Sequence, residues 1–268
     1  MTDKQPRSTG QERKTDQPWY LRRRSADAEA RELAETIYGR EREIFSDSMM
    51  LIEEALNLAI GDGTTDSLRK RKLSVANHAF SLLWSAWSET GAGRYTAATN
   101  HFRSIEESPQ YLKALTVRPD LAQKMNDRHV TMTEVKRIVR DALESERPGA
   151  GKAWLSSIGY QKDMQVLSHV TREATEATLP IVWDRAGPHA IVRFGGGFHD
   201  DTTLRRLSAA LADDSLSLLA CVLFAFRDLD GIEEMWDRRV KGFIVRAKDE
   251  LVAIAANLGI EVESPVWA

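Results

Sequence analysis

Apolar residues recur along most of the chain at helical spacing, so the pattern predicts a helix-dominated protein. Ser25 suits an N-cap, with Asp27, Glu29 and Glu32 favouring the positive end of the helix that follows. That pattern runs to about Ile60 and stops at Gly61-Asp62-Gly63. Thr65 or Asp66 caps the next helix, which continues to Glu89 ahead of Gly91-Ala92-Gly93. Its residues Ala79, Phe80, Leu82, Leu83, Trp84, Ala86 and Trp87 are apolar nearly all round, which predicts a helix in the middle of a bundle. A third helix begins near Arg94, and Pro109 is expected to end or kink it, because proline lacks the N–H and crowds the preceding turn.

Thr131 and Glu134 read as a capping box before the amphipathic set Val135, Ile138, Val139, Ala142 and Leu143, which Arg147-Pro148-Gly149 stops. Another helix is expected over residues 160–178. Ile181-Val182-Trp183 and Ala190 to Phe194 then flank a turn-rich spacer, as two short strands would. In the last helix Ile232, Met235, Trp236, Val240, Phe243, Ala247, Leu251, Ala255 and Leu258 share one face, and Gly259 closes it. The expected fold is therefore all-α: a multi-helix bundle with a small β-hairpin-like insertion near 181–194.

Composition divides the chain in two. Residues 1–24 are polar and basic, with seven Lys or Arg against three acidic residues, and they bury too little apolar surface to order themselves. They read as a disordered basic tail, and 25–268 as a single helical domain. The tail carries +4 and the whole chain −3, so the body is acidic. That balance excludes a protein whose entire surface grips nucleic acid or an anionic membrane. It leaves the tail as a docking point for RNA or a protein partner.

No apolar signal segment opens the sequence, and the longest apolar run, Leu216 to Phe226, falls short of the roughly 20 residues that cross a bilayer. A cytoplasmic protein without a membrane segment is expected. Asp213-Asp214-Ser215 reads as the boundary of that run. The single cysteine, Cys221, lies within it and reads as a small core residue.

The candidate chemistry is sparse. Gly195-Gly196-Gly197 lacks the Lys-Ser/Thr ending of a phosphate loop, and Asp200 and Asp201 after it would repel phosphate. His199, Asp200 and Asp201 have no second ligand pair at helical spacing, so neither a metal nor another cofactor is expected. Arg and His spaced as in metal-independent ribonucleases occur at Arg71–His78, Arg94–His101 and Arg193–His199. There His would move a proton and Arg would hold phosphate charge. A spacing this loose recurs by chance, and none of the three has the usual polar residue directly after Arg.

A polar stripe on the third helix carries Asn100, Arg103 and Glu107 opposite Tyr95, Ala98, Phe102, Ile105 and Leu112. Residues 160–178 carry a similar stripe in His169, Arg172, Glu173 and Glu176. If the two stripes face each other they form a buried polar network; otherwise they are solvated faces. The stretches Ala79 to Trp84 and Ala97 to Glu107, followed by Tyr111-Leu112, resemble an uncharacterised bacterial helical family, a domain of unknown function, over roughly residues 75 to 230. A distant HEPN-like kinship is part of the resemblance. It implies the helical fold and makes Arg103, Glu106, Glu107 and His169 the best ligand-binding candidates, with His101 and Asn100 beside them.

The functional expectation is a ligand- or partner-recognition protein in bacterial stress or phage defence. Its alternatives are a HEPN-like ribonuclease using His169, Arg103, Glu107 or His101, and a structural subunit that forms a homodimer through Trp236 and Phe243 of the last helix.

Overall fold

A computed structural model describes residues 18–61, 66–127, 130–157, 183–184, 191–192 and 201–259. The class is all-α. The first seven helices are α1 (Trp19–Ile37), α2 (Arg40–Ile60), α3 (Ser67–Gly91), α4 (Tyr95–Val117), α5 (Leu121–Asp127), α6 (Met132–Glu146) and α7 (Ala150–Ser157). Later come α8 (Asp201–Ala225), the short α9 (Ile232–Met235), a π turn (Trp236–Val240) and α10 (Lys241–Asn257). The hairpin-like insertion near 181–194 is not supported as an element. Among the described residues there, only a two-residue antiparallel ladder pairs Trp183 with Val192 and Asp184 with Ile191. Residues 1–17 of the expected 1–24 tail, the helix over 160–178, His169, the triple glycine and the Arg193–His199 pair lie outside the described residues, while residues 19–24 of that tail are helical in α1.

Several helix boundaries follow local chemistry. Asp66 caps α3 by accepting the Arg69 N–H at 2.7 Å, and Thr131 caps α6 by accepting the Glu134 N–H. The first two helices were expected as one, starting at Ser25. The chain instead turns helical at Trp19 and breaks at Tyr38-Gly39. The break is held by Glu41, which accepts the Gly39 N–H at 2.9 Å and the Arg205 guanidinium at 3.0 and 3.2 Å. A Cβ on Gly39 would stand 2.7 Å from that guanidinium and from the Glu41 carboxylate, so a larger residue there would displace the pair.

Pro109 does not end α4, which continues through it to Val117. Ser108 and Gln110 donate side-chain hydrogen bonds to the carbonyls of Ser104 and Glu106 on the turn that proline loosens. Phe102 and Ile105 before it and Leu112 and Leu115 after it are all fully buried, so packing on both sides overrides the local penalty.

The main core joins α2, α3, α4, α8 and the C-terminal helices. On α3 a stripe of Ala76, Ala79, Leu83 and Ala86 is fully buried, and its small side chains let α4 approach closely. A second cluster joins the end of α4 to α5 and α6 through Leu115, Leu121, Val135 and Val139. Cys221 is buried in the main core, as expected. Trp236 and Phe243 are half-buried and pack against that core.

Helix α8 has a mean hydropathy of 1.7 over its apolar window, long and apolar enough to cross a membrane, yet 61% of that window is buried among its neighbours. A core helix has that property. Asp213 and Asp214 do not bound it, since they lie inside it.

Three helix C-termini are closed from outside. Arg69 donates to the Ala59 carbonyl at 2.6 Å, Lys72 to that of Ala225 at 2.8 Å and Arg206 to that of Leu258 at 2.7 Å. Each places a cation against the negative end of a helix, satisfying carbonyls that the helix itself leaves open.

Candidate functional site

The expected polar stripe on α4 splits. Arg103 is 46% exposed and pairs with Glu107 at 3.1 Å, one turn on, while Asn100 stands in solvent beside them. Glu106, adjacent in sequence, is rotated by about 100° and enters the contact with α8. His101 is half-buried on the same helix. Of the expected residues that the structure describes, Glu106 is the one coupled to α8, through a residue outside the expected set, Asp214.

Electrostatics define this seam. Burial pushes the Glu106 carboxyl up to about 7, with Lys136 opposing and Glu107 adding to the shift. Burial, then Glu106, then Asp213 hold the Asp214 carboxyl well above its ordinary range, against the pull of Lys248. Lys248 itself bonds Asp213 at 2.7 Å. Seven residues further along both helices, burial lowers the Lys113 ammonium and raises the Cys221 thiol, each offset by the other's charge. The two couplings occur in the same order on both helices, so α4 and α8 run in the same direction. Burial thus favours the neutral form of both carboxyls, and Glu106 titrates near neutrality.

The ribonuclease spacings fare differently. Arg94 is held by Asp27 at 2.9 Å and by Glu89, at the junction of α1, α3 and α4, so its charge is already neutralised beside His101. His78 is exposed on α3, seven residues from a half-buried Arg71. Among the described residues, no group of three or more His, Cys, Asp or Glu could hold a metal ion.

The concave surface lies elsewhere. Phe80, Trp84 and Trp87 follow at i, i+4 and i+7 on α3 and face Phe45, Met49, Met50 and Glu53 of α2, with Glu35 and Arg42 at one end. This groove encloses about 460 Å³. A second hollow continues it along α2 through Met50, Glu53, Glu54, Asn57 and Leu58. Its floor is an aromatic stack: the Trp87 ring lies 4.2 Å from Phe45 at 8° and 5.0 Å from Tyr38 at 18°. Burial raises the Tyr38 phenol far above its usual range, so the stack stays neutral.

Trp84 and Met50 stand over this floor 61% and 60% exposed. The expectation of a fully central α3 is therefore corrected. Its buried face is the alanine stripe, and its surplus of aromatic residues forms the wall of a groove. The signal was present in the sequence as an apolar arc too wide for one packing face, and it was read as burial.

No known protein family, curated protein or solved structure matches this chain.

Proposed function

We propose that this protein is a recognition subunit that holds an apolar helical segment of a partner protein in the groove between α2 and α3. One observation carries the reading: Trp84 and Met50 are exposed above a stacked aromatic floor. Large apolar side chains gathered over a concave surface mark interaction sites, whereas scattered ones do not. Tryptophan and phenylalanine supply much of the affinity at interfaces, and methionine adapts its shape to the occupant. The floor is fixed by ring stacking, so little ordering entropy is lost on binding. Such a subunit suits a role in bacterial stress or phage defence, which rests on the family resemblance alone.

The test uses the unaltered full chain and a fluorescently labelled peptide. An amphipathic helical peptide with a leucine stripe and glutamine elsewhere should show a saturable rise in anisotropy, and Trp84→Ser should weaken binding at least tenfold. No saturable change up to about 1 mM protein would remove the reading.

A further inference from the structure

Resting on the recognition reading above, we infer that the occupant of this groove is a basic amphipathic helix, selected by Glu53. Length comes first. From Arg42 to Leu58 the lining follows α2 for sixteen residues, about 24 Å at the helical rise, which matches an occupant of four to five turns. A helix laid there presents large side chains at i, i+3/i+4 and i+7, the spacing at which Phe80, Trp84 and Trp87 receive them.

Charge then narrows the occupant. The rim carries Glu35, Glu53 and Glu54 against Arg42. Glu35 is paired with Arg42, and Glu54 bonds Arg239 at 2.6 Å, so both ends of the groove are already satisfied. Glu53 belongs to both hollows and stands one turn from Met50. It is exposed, and among the described residues it has no ion-pair or hydrogen-bond partner.

An apolar helix that covers Met50 and Trp84 removes water from Glu53 as well. A covered carboxylate without a partner is costly, so a neutral or acidic occupant loses affinity there. A Lys or Arg on the occupant turns the same position into a charge-assisted contact. Glu53 thereby acts through what it rejects as much as through what it binds.

The alternatives fit less well. Residues 1–17 of this chain are basic but contain no large apolar side chain beyond Met1, so they cannot fill an apolar groove. Nucleic acid meets three carboxylates. A second copy could offer the exposed Val245 and Val252 of α10 beside Lys241, but Asp249 lies between them and brings a further carboxylate to a rim that already carries three.

The experiment uses the unaltered full chain and three fluorescently labelled peptides of sixteen to eighteen residues, read by anisotropy. They share one leucine stripe and differ only in flanks of lysine, glutamine or glutamate. The lysine peptide should bind about tenfold or more tightly than the glutamate peptide at low salt, with the ratio shrinking as salt screens the pair. Glu53→Gln should reduce that ratio to about threefold or less and tighten glutamine-peptide binding, while the melting curve stays unchanged.

Equal binding of all three peptides leaves the groove standing and overturns the assignment of a basic occupant. A lysine preference that survives Glu53→Gln assigns selectivity to overall charge and overturns the role of Glu53. Failure of every peptide to bind removes the recognition reading and this inference together. A mass in solution double that of one chain, abolished by Trp84→Ser, makes a second copy the occupant and overturns the inference alone.

Discussion

Along the α4–α8 contact, two carboxyls and an ammonium stand half-buried against apolar neighbours, whereas along α2 and α3 a tryptophan and a methionine are turned out to water. Each region inverts the ordinary partition, and the two inversions act on different quantities. A polar group held inside acts on folding free energy and makes it depend on pH, because burial favours the neutral form. An apolar group held outside leaves folding nearly untouched and acts on association, because its water is released only when something covers it. The first is an internal property of the fold. The second is incomplete without a partner.

Substitutions can break or sharpen this contrast. The largest effect belongs to the seam's packing. Phe102→Ala, fully buried on α4, should lower stability by about 4 kcal/mol in a denaturant melt. A loss under 1 kcal/mol would show that α4 does not anchor the core.

Next comes pH. Glu106 keeps its proton in the folded chain up to about pH 7 but releases it near 4.5 when unfolded. Its contribution is full below the unfolded value and disappears as pH rises through the folded one. Stability should therefore fall by on the order of 2 kcal/mol between pH 5 and 8, after discounting for partial solvent screening. Glu106→Gln should flatten that slope, and an unchanged slope would place its source elsewhere.

A smaller change is expected at Asp214, whose carboxyl is pushed by burial toward the neutral form that an amide resembles. Asp214→Asn should alter stability by less than about 1 kcal/mol, whereas a loss of several would mean the carboxylate is ionised and paired. The smallest effect belongs to the groove: Trp84→Ser should shift stability by no more than about 0.5 kcal/mol while abolishing peptide binding. A cooperative loss of several kcal/mol there would show that Trp84 holds the bundle together, and the contrast between the two regions would collapse.

The places where the sequence misled have a common physical cause. Thr131 and Asp66 were legible as caps because a cap is satisfied within three residues of itself. Pro109 was misleading because its penalty is local, while the burial of Phe102, Ile105, Leu112 and Leu115 that overrides it comes from other helices. The α4 stripe showed which residues were polar but not which would turn inward. Only the approach of α8 separates Glu106 from Glu107, and the partner there, Asp214, looked like the end of an apolar run. For α3 the pattern showed a wide apolar arc, and nothing in it distinguishes a face covered by the fold from a face left for a partner.

The sequence by itself determined the helical class, most caps and stops, the burial of Cys221 and the core stripe of the C-terminal helix, because these depend on residues close along the chain. Only the tertiary structure decided that Glu106 meets Asp214 and that Trp84 and Met50 remain uncovered, because each depends on which helices approach and how closely. Periodicity gives a side chain its direction around a helix axis, and the neighbouring element decides whether that direction leads to protein or to water.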